Sequence, residues 1–126
     1  MEPLHIESSE FSPKIVFDSA NDIFEVEGVS RPENPMEFYQ PVIDWLDAYI
    51  ETPNESTTVN FNFDYFNTSS LKYFLIILSK FKEVEETGKT VKINWCYDEE
   101  DEEMLEVGEN LEELSELEFN YIENED

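Results

Sequence analysis

Between Thr57 and Phe66 the chain alternates, with Val59, Phe61, Phe63 and Tyr65 set against Asn60, Asn62 and Asp64. A period of two predicts a strand with one apolar face. The period then changes. Leu71, Phe74, Leu75, Leu78 and Phe81 fall at i, i+3, i+4, i+7 and i+10, which predicts an amphipathic helix over Leu71–Glu86. The change occurs within Phe66–Ser70, where Asn67, Thr68, Ser69 and Ser70 stand side by side. Asn, Ser and Thr are the residues that cap helix N-termini, so a strand, a tight turn and a capped helix start are expected here.

The same reading extends along the chain. Residues 1–13 are polar, contain Pro3 and Pro13, and are expected to lie extended on the surface. Lys14–Asp18 and Ile23–Gly28 read as strands joined by the turn Ser19–Asp22, together a hairpin. Asn34 followed by Pro35 is a good cap and first-turn pair. Phe38, Val42, Trp45, Leu46 and Tyr49 then give a helix face, within which Pro41 marks either the true start or a kink. Gly88 is the expected residue just past the second helix. Val91, Ile93, Trp95 and Tyr97 alternate with Lys92, Asn94 and Cys96, giving another strand. Met104, Leu105, Leu111 and Leu114 predict one or two short helices interrupted at Gly108, and a last short strand fits Glu118–Ile122.

The resulting order, β-β-α-β-α-β-α-β, predicts a single α/β domain with parallel pairing wherever a helix joins two strands. Strict alternation is unusual for a sheet covered on both sides. The helices are therefore expected mainly on one face, leaving the other polar and open. Parallel strands ending near Gly28, Phe66 and Tyr97 would bring Ser30–Asn34, Asn67–Ser70 and Tyr97–Met104 to one rim. Function collects at this carboxyl edge in open α/β sheets.

Charge sharpens the picture. The 126 residues hold 32 acids and seven Lys or Arg, a net charge of −25. Residues 98–126 alone carry fifteen acids and no Lys or Arg. Such a surface repels nucleic acid and anionic membranes, so neither is an expected partner. Hydrophobic residues make up 40% and aromatics 14%, enough for a packed core rather than an acidic disordered chain. The N-terminus has neither a basic segment nor an apolar run, and the longest apolar run, Tyr73–Leu78, is too short to cross a bilayer. A cytoplasmic protein without membrane insertion is expected.

Candidate chemistry is sparse. His5 is the only histidine and lies near the terminus, which disfavours a histidine-based triad or metal site. Cys96 has no visible partner. Asp98–Glu103 lacks the spacing of a calcium loop and reads as a solvated acidic surface. No metal or cofactor is expected, and an enzyme is disfavoured. Trp45 and Trp95 read as core anchors. The helix start after Phe66 differs from these. Its first amides have no partner within the helix and its dipole favours negative charge, so a hydroxyl there can carry a phosphate. Arg31, the only arginine, is either a surface charge or a phosphate or carboxylate clamp near Thr68.

Four runs carry a resemblance beyond pattern. They are Glu27-Gly28-Val29-Ser30-Arg31-Pro32-Glu33-Asn34-Pro35 with Phe38-Tyr39, Pro41-Val42 and Trp45-Leu46; Tyr65-Phe66-Asn67-Thr68-Ser69-Ser70; Trp95-Cys96-Tyr97-Asp98; and Asp101-Glu102-Glu103-Met104 with Gly108-Glu109. In order and spacing, over about residues 14–122, the chain resembles the SiaC-like bacterial regulatory phosphoproteins, formerly a family of unknown function. The resemblance implies a fold similar to the STAS domains of anti-sigma-factor antagonists. It implies that Thr68 is the phosphoacceptor, phosphorylated by a Ser/Thr kinase of the histidine-kinase-like fold and dephosphorylated by a PPM-type phosphatase. It further implies that the unphosphorylated form binds an effector, a diguanylate cyclase in the best-known system. Arg31, Glu33, Asn34, Tyr65, Asn67, Ser69, Ser70, Asp98 and Asp101, which fall in these motifs and on the predicted rim, are the expected partner-binding residues. The competing reading is a constitutive acidic interaction module in which Thr68 only caps its helix.

Overall fold

A computed structural model describes residues 1–125. Six strands form one sheet in sequence order: β1 (Leu4–Ile6), β2 (Lys14–Asp18), β3 (Ile23–Ser30), β4 (Ser56–Phe66), β5 (Thr90–Asp98) and β6 (Glu118–Asn124). The first three are antiparallel neighbours, and β3, β4, β5 and β6 run parallel. Helices α1 (Pro35–Tyr49), α2 (Thr68–Glu86) and α3 (Glu102–Ser115) connect the parallel strands, as connections between parallel neighbours require.

The alternation places the core on one face. Ile15, Phe17, Phe24, Val26, Val59, Phe61, Ile93 and Trp95 are buried in the same cluster as Val42, Leu46, Phe74, Leu78, Phe81 and Leu111 of the three helices. The other face is polar and open. Asn60, Asn94 and Asn120 stand in one row across three strands and are linked by Asn94 Nδ2 donating to Asn60 Oδ1 (2.7 Å) and Asn120 Nδ2 donating to Asn94 Oδ1 (3.3 Å). The chain is thus a mixed α/β domain with its helices on one side, as the strand alternation predicts.

Several expectations need correction. The N-terminal stretch is extended and mostly exposed, as expected, but it is also part of the sheet: β1 pairs with β2, and Trp45 Nε1 donates to the Glu2 carbonyl at 2.8 Å. Helix α1 begins at Pro35 and runs through Pro41, so Pro41 does not mark its start. Proline removes the amide that would bond the Glu37 carbonyl, but both residues are exposed and water can replace that bond. Helix α3 is continuous through Gly108, which does not interrupt it. There the backbone packs on the Trp95 ring so closely that an added Cβ would lie 2.5 Å from Trp95 Cδ1. Trp95 Nε1 also donates to the Met104 carbonyl at 2.9 Å. Strand β6 extends to Asn124, within what reads as an acidic tail end from residue 123; Asp126 lies outside the described residues. It is held by Glu112, whose carboxylate accepts from the Phe119 amide (2.9 Å) and the Tyr121 hydroxyl (2.6 Å).

Candidate functional site

Three helices start at one rim. β3, β4 and β5 are parallel, so the segments that leave them emerge on the same edge of the sheet. Each leads into a helix capped by an Asn or Asp. Asn34 Oδ1 accepts from the Glu37 amide (3.2 Å), Asn67 Oδ1 from Ser70 (3.2 Å) and Asp101 Oδ1 from Met104 (3.0 Å). Three of the expected partner-binding residues therefore have a structural task first. Each satisfies an amide that the helix itself cannot.

Around α2 nearly every polar group is engaged. The Ser69 hydroxyl donates to Asn67 Oδ1 at 3.0 Å, and the Ser70 hydroxyl lies 2.9 Å from the same oxygen and 3.0 Å from the Ser30 carbonyl. Ser30 Oγ is 2.9 Å from Ser70 Oγ and 2.5 Å from the Tyr39 hydroxyl. The Asn67 amide donates to the Ser30 carbonyl at 3.0 Å. Ser70 and Ser30 are wholly buried, so Ser70 ties α2 to β3 and is not presented to a partner. Burial also pushes the Tyr39 hydroxyl well above the usual phenol range, against a smaller opposing effect of its bond to Ser30. A buried phenolate would lose its hydration without a compensating cation.

Thr68 is the exception. It is the first residue of α2, it is exposed, and its hydroxyl makes no hydrogen bond among the described residues. Helix α2 also differs in charge. The first turn of α1 holds Glu37 and that of α3 holds Glu102 and Glu103, whereas that of α2 holds no acid. It is the one helix start at this rim whose positive dipole end is not already faced by a carboxylate of its own first turn.

The other expected site residues fall as follows. Glu33 and Ser69 are exposed on the rim. Asp98 accepts from Asn124 Nδ2 at 3.1 Å on the open face, and its carbonyl accepts from the Asp101 amide. Arg31 donates its amide to the Phe11 carbonyl (2.8 Å) and lays its guanidinium over the Phe11 ring, 5.2 Å from the centroid. Its partner is therefore that ring, not the Thr68 side chain. Tyr65 does not continue the apolar face. The pairing passes from Gly28–Phe63 to Val29–Tyr65, so Asp64 is an extra residue on β4. Gly28 adopts φ +113° at this step, a backbone region that residues with a Cβ seldom enter. The bulge reverses the facing of the last residues. Phe66 turns inward onto Phe63 and Phe74, and Tyr65 turns out, half exposed.

Sequence reasoning missed Ser30 and Tyr39. The available signal was position. Phe24, Val26, Gly28 and Ser30 share one face of β3, and a serine on an apolar face demands a buried partner. Asp98–Asp101 line a cavity of about 350 Å³. Among the described residues, no group of three His, Cys, Asp or Glu side chains is arranged to hold a metal ion, and no helix is long and apolar enough to cross a membrane. Cys96 is half-buried, and burial pushes its thiol up, away from the reactive thiolate.

The domain is one-sided α/β, and its rim presents, at the one helix start without a first-turn acid, a threonine hydroxyl that makes no hydrogen bond among the described residues. The chain belongs to the SiaC family regulatory phosphoproteins, whose profile it matches over residues 6–124. It is 31% identical, over 90% of each chain, to an uncharacterised protein of Pseudomonas aeruginosa (strain UCBPP-PA14). Its fold is similar to that of apo-SiaC from Pseudomonas aeruginosa, with a TM-score of 0.88 and 29% identity over 97% of this chain and 99% of that one. It is equally similar to SiaC in the crystal structure of the diguanylate cyclase SiaD in complex with its activator SiaC, with a TM-score of 0.87 and 29% identity over 96% and 99%.

Proposed function

We propose that this chain is a non-enzymatic, phosphorylation-controlled binding protein with Thr68 as its phosphoacceptor. The observation that carries the reading is the division of labour at the start of α2. Asn67 caps the helix, while the neighbouring Thr68 hydroxyl is exposed and unbonded at a first turn without acids. A residue needed as a cap could not be modified without loss of the cap; Thr68 can.

A Ser/Thr kinase of the histidine-kinase-like fold adds the phosphate and a PPM-type phosphatase removes it. In the unphosphorylated state the rim binds and activates a diguanylate cyclase, as SiaC does SiaD. Phosphorylation adds about −1.5 to −2 charge at Thr68. The free amides and dipole of α2 accommodate that charge, so the domain stays folded. A partner surface fitted to a neutral threonine does not accommodate it, and the phosphate changes binding rather than folding.

The test compares Thr68→Ala with Thr68→Glu for affinity towards the cyclase. Thr68→Ala is expected to bind like the unmodified protein and Thr68→Glu to bind about tenfold or more weakly, a loss of about 1.4 kcal/mol. Equal binding by both contradicts the proposal.

A further inference from the structure

Among the described residues seven large hydrophobic side chains are exposed, and three of them belong to segments at the rim that also carries Thr68: Phe11 (53%), Met36 (62%) and Tyr65 (52%). Phe11 is fixed beside the end of β3 by Arg31, Met36 lies in the first turn of α1, and Tyr65 comes three residues before Thr68. Tyr65 faces outward only because of the bulge at Asp64 and the positive φ of Gly28. Bulges of this kind re-aim side chains beside functional sites. Exposed aromatics and methionines are the residue types enriched at interface centres, and here three of them share one rim. The same rim carries Glu33, Asp64 and the Asp98–Asp101 loop, and Arg31 faces the Phe11 ring.

From this juxtaposition we infer that Phe11, Met36 and Tyr65 anchor the effector, and that the effector is a protein surface with apolar sockets ringed by lysine and arginine. The inference rests on the reading of Thr68 given above and explains its sign. A basic partner would by itself be drawn to a phosphate. At Thr68, however, the phosphate shares the rim with the apolar anchors, where binding would strip its water away, while the partner's cations are committed to the acids. A dianion desolvated without a counter-charge opposes association. The peripheral acids supply attraction that salt screens, and the anchors supply most of the affinity.

The experiment uses the full chain in three forms: unmodified, Phe11→Ser/Met36→Ser/Tyr65→Ser, and the control Ile23→Ser/Leu114→Ser, whose sites are exposed elsewhere. Each is immobilised and incubated with an extract of its own host. The protein recovered on the unmodified chain is purified and titrated against all three forms and against Thr68→Glu, at low and high salt. Unchanged melting confirms that each variant folds. The rim variant is expected to bind about tenfold or more weakly, the control to bind like the unmodified chain, and affinity to fall with salt. Wild-type binding by the rim variant overturns the inference, as does loss on the control, salt-independent binding, or recovery of nothing that the rim variant loses. If Thr68→Glu binds normally while the rim variant does not, the surface stands and the switch fails. If Thr68→Glu alone loses binding, the switch stands and the surface fails.

Discussion

The N-termini of α2 and α3 occupy the same edge of the sheet, each following a parallel strand and each capped by a side chain that accepts from the amide three residues on. Their charge is opposite in kind. At α3 the cap is Asp101, Glu102 and Glu103 follow it, and Asp98, Glu99 and Glu100 precede it. At α2 the cap is the neutral Asn67, followed by three hydroxyls and no acid. The same backbone geometry thus supplies a saturated helix start and a vacant one. A phosphate added at α3 would meet a crowd of carboxylates, and one added at α2 meets free dipole. On this fold the helix start suited to a phosphate is the one where the sequence withholds negative charge.

The comparison is broken most severely by loss of the packing that seats α3. Gly108→Ala drives a methyl into Trp95 and is expected to cost about 1–3 kcal/mol, as overpacking does. It should lower the melting temperature by several degrees while leaving Thr68 exposed. Removal of the caps comes next. Asn67→Ala and Asp101→Ala should each cost about 1 kcal/mol in denaturant unfolding, showing that the two ends are alike in backbone need.

Thr68 separates them. With its hydroxyl unbonded, Thr68→Ala should change stability by no more than about 0.5 kcal/mol. Thr68→Glu should add about 0.3–1 kcal/mol at low ionic strength, an increment that salt removes. A loss of about 1 kcal/mol on Thr68→Ala would restore the capping role to Thr68.

The smallest effect lies in two phenols, one at each region. Tyr39 beside α2 and Tyr121 beside α3 are both pushed above the ordinary phenol range. Burial is the larger cause for each; at Tyr121 the bond to Glu112 and the charge of Glu109 add to it. The folded state therefore holds both protons more tightly than the unfolded chain. This stabilisation is complete below the ordinary phenol pKa and is lost as pH rises through the folded value. Ultraviolet titration should show late ionisation of both. Added salt should shift Tyr121 towards ordinary behaviour, since carboxylates contribute there, and leave Tyr39 in place, since desolvation is not screened.

The sequence made some of this legible and hid the rest for definite reasons. The core faces of β4 and β5 and the pairing of β3 to β5 follow from period and order alone. Alternation puts Tyr65 on the apolar face and is wrong there, because it assumes an unbroken register and the extra residue at Asp64 reverses it. Gly108 reads as a helix breaker when only propensity is counted; its close approach to Trp95 is a tertiary fact. Periodicity starts α2 at its first apolar residue, Leu71, whereas the helix begins at Thr68 with its cap one residue earlier. That shift of three residues moves Thr68 from loop to first turn. The hydroxyl cluster was visible, but which member capped and which stayed free depends on Ser30 and Tyr39, distant in sequence.

The most direct measurement is the intact mass, with site mapping, of the protein isolated from its host under several growth conditions. The account predicts a fraction carrying one phosphate, on Thr68 and not on Ser69 or Ser70, that varies with condition. A uniformly unmodified population, or phosphate confined to another residue, would contradict it.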